Sequence, residues 1–150
     1  MEIREITEKD FYELVEMVYL HRRERVPDTG KEMKVEISDI FKRTMLDPSS
    51  ELLVCVEGES VLGFVNIHYA DFPMVVGREG YITDLLVKES ERGKGIGTAL
   101  LEEAETAARK RGCTRVMLNN GKWTPAYQKG FYGKVGYSER KNFANFVKNL

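Results

Sequence analysis

The chain has 150 residues, the length of one ordinary domain, which is enough to bury a core without disulfides or a structural metal. Apolar residues make up 42% of it and charged residues 31%, with a formal net charge of −1, so the composition is that of a soluble globular protein. That balance argues against a general nucleic-acid or membrane-surface binder, whose footprint is strongly basic.

Met1, Glu2, Ile3, Arg4 and Glu5 lack the apolar stretch of a secretion signal, and no apolar run approaches the ~20 residues that span a bilayer. Cys55 and Cys113 stand far apart and outside any CxxC pattern, and Cys55 falls in an apolar run that reads as buried and inert. These features lead us to expect one cytoplasmic, reduced domain over residues 1–150 that needs no metal.

The elements follow in chain order. Residues 3–6 alternate as a short first strand. Thr7 then reads as a helix N-cap, with Asp10 three residues on in a capping-box arrangement. Phe11, Leu14, Val15 and Val18 carry an amphipathic helix toward Arg25, which Pro27, Asp28 and Gly30 break. A second helix over 35–45 presents Ile37, Ile40 and Phe41 and ends at Asp47-Pro48-Ser49-Ser50. Residues 52–56 and 61–69, joined by Gly58-Glu59, read as a hairpin. Residues 72–80 read as a loop and 81–87 as the next strand. Ile96, Leu100, Leu101, Ala104, Ala107 and Ala108 form one face of a third helix, with Arg109, Lys110 and Arg111 at its C-terminal end and Gly112 as its cap. A strand over 115–118, a helix over 126–134 that stops at Gly136, and one or more strands over 137–147 complete a mixed α/β sheet.

The chemistry concentrates where strand, Gly-rich turn and helix occur in succession. Gly93, Gly95 and Gly97 let the backbone bend tightly and let a ligand approach the main chain. Their amides open a helix, where unpaired N–H groups and the dipole attract anions. Arg92 and Lys94 add positive charge and Thr98 a hydroxyl. The turn is therefore suited to phosphate. It is not a Walker A loop, because Gly95 rather than Ser or Thr follows Lys94, and it comes too late in the chain for a dinucleotide fingerprint.

The run Arg92-Gly93-Lys94-Gly95-Ile96-Gly97 resembles the Gln/Arg-x-x-Gly-x-Gly/Ala motif of the GNAT superfamily of acetyl-CoA-dependent N-acetyltransferases. The preceding Asp84-Leu85-Leu86-Val87 fits that family, and Phe131-Tyr132-Gly133-Lys134-Val135-Gly136-Tyr137 is similar to its Phe-Tyr-x-Lys-x-Gly-Phe segment. The similarity covers essentially the whole chain. It implies a mainly antiparallel α+β sheet of about 6–7 strands with about four helices, in which one strand splays from its neighbour. Leu85, Leu86 and Val87 would then bind the pantetheine arm of CoA through their main chain. Arg92, Gly93, Lys94, Gly95, Ile96, Gly97 and Thr98 would hold the pyrophosphate.

Acetyl transfer to nitrogen needs a neutral amine, a stabilised oxyanion and a proton for the departing sulfur. The resemblance makes Tyr132 the proton donor. Several relatives carry a glutamate base where this chain has Tyr81, so Asp84 is the nearest acidic candidate, with Glu79 and His68 behind it. Asp84 would orient the amine or relay its proton through water; a structural hydrogen bond is the competing role. Alternation places Asp84 on the face opposite Leu85 and Val87 unless a bulge intervenes. The asparagine that many relatives use on CoA is replaced near Pro125, leaving Asn119 or Asn120 as substitutes. Tyr19, His21, Arg22, Arg23, Glu24 and Arg25 lie in the region expected to face the acceptor, and Trp123 and Tyr127 either line its pocket or pack.

The expected activity is direct transfer of acetyl from acetyl-CoA to a primary amine of a small molecule, peptide or protein. The alternatives are a non-catalytic acyl-CoA sensor on the same fold and a nucleotide-binding protein. The resemblance also implies a homodimer.

Overall fold

The computed structural model describes residues 1–23 and 31–150. The described residues fall into two compact units, Met1–Leu118 and Asn119–Leu150. Among them no helix is long and apolar enough to cross a membrane.

The first unit is a five-stranded sheet in the order β1-β2-β3-β4-β5. Its strands are β1 (Glu2–Glu5), β2 (Ser50–Glu57), β3 (Ser60–Phe72), β4 (Gly77–Val87) and β5 (Cys113–Leu118). The first four pair antiparallel and β5 joins β4 in parallel. Helices α1 (Phe11–Arg23) and α2 (Lys31–Leu46) connect β1 to β2, and α3 (Ile96–Lys110) is the crossover between β4 and β5.

Alternation along β2 and β3 divides the core between the two faces. Leu52, Val54, Val56 and Phe64 pack with Leu14, Val15, Met17 and Tyr19 of α1 and with Met33, Ile37 and Phe41 of α2. Phe41 meets Phe64 edge-on, with ring centroids 5.7 Å apart. On the other face lies α3, whose buried residues are the six that its periodicity indicates: Ile96, Leu100, Leu101, Ala104, Ala107 and Ala108. Cys55 is fully buried, and burial pushes its thiol above the ordinary range.

The turn into α1 is tied by charge. Asp10 is buried, and its Oδ2 accepts from the Thr7 backbone N–H at 2.8 Å and from the Thr7 hydroxyl at 2.9 Å. Arg4, on β1, grips both carboxylate oxygens at 2.8 and 2.9 Å. The expected reciprocity of Thr7 and Asp10 is present, with a third partner that the local pattern does not reveal.

Three expectations need correction. Residues 77–80 are strand rather than loop, and only a short turn at Pro73–Val75 separates β3 from β4. Their two glycines suggest punctuation, but a Cβ on Gly80 would lie 2.8 Å from Ile67 and 3.4 Å from Ala108, and one on Gly77 would lie 3.0 Å from Thr114. Both are close-packing glycines, and the Asp71–Arg78 pair bridges the strands beside them at 2.9 Å. The helix expected over 126–134 is two short pieces, α4 (Pro125–Gln128) and α5 (Phe131–Lys134), divided by Gly130 in the left-handed region. No strand forms over 137–147, so the sheet has five strands and not six or seven. Ser138 to Asn142 are consecutive polar residues without strand alternation, and Phe143, Phe146 and Val147 are exposed. The expected end of α1 at Arg25, and Glu24, Pro27, Asp28 and Gly30, lie outside the described residues.

The Asp10 clamp has a pH signature. Its carboxyl sits below the ordinary aspartate range, held there first by the hydrogen bonds from Arg4 and then by those from Thr7. A carboxylate depressed on folding contributes stability above its unfolded pKa and loses it as pH falls through the folded value. Denaturant unfolding of wild type and Asp10→Asn between pH 7 and pH 3 is expected to show the variant less stable by about 1–3 kcal/mol at neutral pH, with the gap closing toward the acid end.

Candidate functional site

The candidate residues are divided between the two units. In the first, the controlling feature is the mismatch in length between β4 and β5. The parallel pairing begins at Arg78↔Cys113 and ends at Ile82↔Leu118. On its other side β4 stays paired with β3 as far as Gly63↔Val87. The main chain of residues 83–87 is therefore bonded to β3 and has no strand on its β5 side among the described residues. The pairing ends on the strand where the resemblance implies a splay, and Leu85, Leu86 and Val87 lie on the unpaired stretch.

Gly63 anchors the far end of that stretch. A Cβ there would stand 2.8 Å from the Leu86 carbonyl oxygen and 3.2 Å from Val87 Cα. The strand can approach this closely only because position 63 has no side chain.

Immediately after β4, a 3-10 turn at Glu89–Glu91 leads into the Gly-rich turn. Gly93 (φ 79°) and Gly95 (φ 85°) occupy the left-handed region, and a Cβ on either would meet nothing within 4 Å. Here glycine is required by backbone conformation, and the space above the turn is open. Gly95 is the N-cap of α3 and supplies no side-chain acceptor to the first amides, those of Ile96, Gly97 and Thr98. Arg92 donates from Nε to the Val87 carbonyl at 3.3 Å and its guanidinium lies 3.9 Å from Glu89. Lys94 pairs with Glu91 at 2.9 Å, and that contact holds the Glu91 carboxyl below its ordinary range. The two cations of the turn thus each have a local acidic neighbour, which the motif alone does not indicate.

A polar cluster lies where β4 passes the end of β5. Asn66 pairs in register with Asp84 while Ile67 pairs with Ile82, so Thr83 is an extra residue, a bulge. The bulge shifts the phase of the strand. Asp84 comes onto the same face as Asn66, His68 and Tyr81, still opposite to Leu85 and Val87. Thr83 Oγ1 donates to Asp84 Oδ2 at 2.8 Å, and Asn66 Nδ2 lies 3.5 Å from that oxygen and 3.2 Å from His68 Nε2. Asp84 is exposed, His68 is half-buried and Asn66 is buried.

Glu79, a weaker candidate base, is only 2% exposed and forms an ion pair with Arg115 on β5. That pairing gives it a structural role. Tyr19 is a core residue of α1 beneath the Lys34 ammonium, 4.6 Å from its ring centroid. Arg25 and Glu24 lie outside the described residues. An open groove of about 680 Å³, lined by Tyr12, Glu13, Glu16, Leu20, Lys88 and Glu89, contains none of the candidate residues.

The second unit carries Tyr132 and Asn120. Tyr132 is in α5, launched by Gly130 in the left-handed conformation, and its ring meets Phe131 at 5.0 Å and Tyr137 at 6.1 Å. Burial raises its phenol above the ordinary tyrosine value, so it stays protonated at neutral pH. Thr124 caps α4 by accepting from the Tyr127 N–H at 3.2 Å and donates its hydroxyl to Asn120 Oδ1 at 3.1 Å. Asn120 Nδ2 is a buried donor with no partner among the described residues. Trp123 is 72% exposed and lies over Gly121.

Sequence reasoning missed Asn66 and Thr83. Asn66 sits in an otherwise apolar run, Gly63-Phe64-Val65-Asn66-Ile67, and a lone polar residue on a buried strand is the signal that could have found it.

Replacing Gly63 with alanine is expected to destabilise the protein by about 1–3 kcal/mol, because the new methyl meets backbone that cannot move cheaply. Thermal unfolding checks this. A midpoint equal to wild type would show that the end of β4 is loosely held.

The profile of the acetyltransferase (GNAT) family matches residues 3–137. Glucosamine 6-phosphate N-acetyltransferase 1 of Oryza sativa subsp. japonica is 38% identical over 64 residues, 43% of this chain and 36% of that protein. An N-acetyltransferase of Methanocaldococcus jannaschii is 32% identical over 117 residues, 73% of this chain and 50% of that protein. The matches therefore span between about a third and a half of those curated relatives' lengths. The crystal structure of a transcriptional regulator from Bacillus halodurans C-125 superposes with a TM-score of 0.84 at 26% identity, covering 99% of both chains. With the family profile spanning all but the first two and last thirteen residues, the strand splay and the Gly-rich turn find their explanation together: the chain belongs to the GNAT acetyltransferase family, a family of acyl-transferring enzymes.

Proposed function

We propose that the protein transfers the acetyl group of acetyl-CoA to a primary amine by direct attack within a ternary complex. The observation that carries this reading is the stretch of β4 that outruns β5 and leads, through the short Glu89–Glu91 turn, into the Gly93–Gly95 turn. An extended amide-bearing arm can bond to an unpaired strand edge, and a diphosphate suits the open amides at the start of a helix. The residues fit CoA for these two reasons. Leu85, Leu86 and Val87 would bond the pantetheine arm through main-chain groups. Arg92, Gly93, Lys94, Gly95, Ile96, Gly97 and Thr98 would hold the pyrophosphate, with Arg92 and Lys94 turning from Glu89 and Glu91 toward it. Asn120 Nδ2 is a further donor for the coenzyme.

The thioester supplies an electrophilic carbonyl carbon. An amine that arrives as an ammonium sheds two protons, one before attack and one after the C–N bond forms. As the C–S bond breaks, the sulfur takes one proton and the other reaches solvent. Asp84 orients the ammonium and receives its first proton, directly or through water. Tyr132 protonates the sulfur; its place in the Phe131-Tyr132 motif and its burial-raised phenol support that role. The names of two relatives lend the amine class support, since one acts on glucosamine 6-phosphate and another on thialysine.

The test combines binding with turnover. Saturating CoA or acetyl-CoA is expected to raise the unfolding midpoint by several degrees, as about 3–4 kcal/mol of ligand stabilisation does for a chain of this size, whereas ATP and NAD are not. No shift with either CoA ligand would remove the central claim. Gly95→Val, which forces a branched side chain into the left-handed region, should abolish the shift while circular dichroism stays unchanged. Thiol release should follow with at least one of lysine, spermidine and glucosamine 6-phosphate. For Tyr132→Phe, turnover should fall at least about a hundredfold with the CoA-induced shift retained. Undiminished turnover would take the proton-donor role from Tyr132.

A further inference from the structure

Asn66 is at odds with its surroundings. Its register neighbour on β2 is Leu52 and the next residue on its own face is Phe64, both core side chains. It is itself 8% exposed, and its Oδ1 is buried with no hydrogen-bond partner among the described residues. A valine or leucine would fill such a place without stranding a carbonyl, so the amide is kept at a cost in stability. What it provides is the Nδ2 end, which faces two groups of the polar cluster: Asp84 Oδ2 at 3.5 Å and His68 Nε2 at 3.2 Å.

The chemistry of the neighbours fixes which way the amide points. An ionised Asp84 only accepts, so an amide turned the other way would set Oδ1 against a carboxylate oxygen. With Nδ2 toward Asp84, the same NH2 group faces His68, whose Nε2 must then be a lone pair and whose proton is on Nδ1. The contacts that Thr83 and Asn66 make to Asp84 both fall on its Oδ2. Among the described residues this leaves Asp84 Oδ1 as the oxygen available to an incoming group on the exposed side. Among the described residues of β4, Tyr81, beside His68 in register, and Glu79, which is engaged by Arg115 of β5, share this face; Arg4 of β1 lies farther along it and is held by Asp10. Asp47, after α2, is within electrostatic reach of His68, but its carboxylate is depressed chiefly by hydrogen bonds from Ser49.

We propose that Asn66 is a positioning residue for the transfer reaction, its side-chain amide holding the Asp84 carboxylate and the His68 imidazole in the arrangement in which Asp84 takes the proton of the acceptor amine. The inference rests on the role given to Asp84 above and adds Asn66 and His68 to it. His68 acts through its lone pair as an acceptor and does not itself move a proton.

One arm of the test needs no acceptor. The chain contains two histidines, so side-chain 15N NMR of the ligand-free protein resolves the His68 tautomer once His68→Gln removes its signals. The proton should be found on Nδ1; a proton on Nε2 would mean the amide is reversed and would overturn the proposal.

The second arm is kinetic, with acetyl-CoA and the fastest of lysine, spermidine and glucosamine 6-phosphate. Asn66→Ala should lower kcat/KM about ten- to a hundredfold while the CoA-induced thermal shift is kept. Asn66→Asp, nearly isosteric, puts a second carboxyl beside Asp84 and should move the acid limb of the kcat/KM profile to higher pH. His68→Gln, whose Oε1 can accept from Asn66, should stay within about threefold of wild type, whereas His68→Phe should fall as Asn66→Ala does. A loss in His68→Gln equal to that in His68→Phe would make His68 a proton carrier and overturn this account. The parent reading is tested apart by Asp84→Asn. If Asp84→Asn loses turnover and Asn66→Ala does not, only the present inference fails; if Asp84→Asn keeps full turnover, the role of Asp84 fails and this inference with it.

Discussion

A strand that continues after its neighbour has stopped must leave main-chain groups unpaired, and the first unit is organised around one such strand. β4 is held by β3 along its whole length and by β5 only as far as Ile82. Unpaired main chain inside a fold is costly unless water or a ligand satisfies it. The protein holds the overhang through β3 and through the core of α1 and α2. Gly63 allows β3 to approach the last residue of β4, Leu86 packs into the α1–α2 core, and the backbone N–H of Lys88 donates to Leu62 at 2.9 Å. None of these contacts is a strand pairing on the β5 edge, where β4 has no partner strand beyond Ile82 among the described residues.

The same strand sets both halves of the candidate site in the first unit. Its end delivers the chain into the glycine turn and α3, so the unpaired edge and the first amides of α3 are contiguous by covalent connection. Its middle carries the bulge at Thr83, which brings Asp84 into line with Asn66 and His68. One extra residue thus decides which side chains share a face, because a strand repeats every two residues.

Much of this was legible in the chain itself. The α3 face was readable residue by residue, because a helix that packs on one side writes its period into the positions of Leu and Ala. The glycine turn was readable because left-handed backbone leaves few alternatives to glycine. What stayed hidden depended on partners distant in sequence. Gly77 and Gly80 looked like loop residues because nothing local indicates that Thr114, Ile67 and Ala108 press on them. Thr83 looked like an ordinary strand residue, since a bulge is a property of two strands together. The apolar residues near the C-terminus suggested a strand that does not form, since hydrophobic composition without alternation or a pairing partner does not specify one.

The acidic neighbours of the glycine turn have one more consequence. With Glu89 near Arg92 and Glu91 on Lys94, the two cations already have counterions that belong to the chain. An arriving anion displaces a carboxylate and not merely water and dissolved salt. A ligand that offers only scattered negative charge gains little from such an exchange. One that also reaches the backbone amides of the turn gains contacts that no glutamate side chain was making. In the proposed CoA complex, the turn would therefore discriminate against stray polyanions through the shape of its main chain more than through its charge.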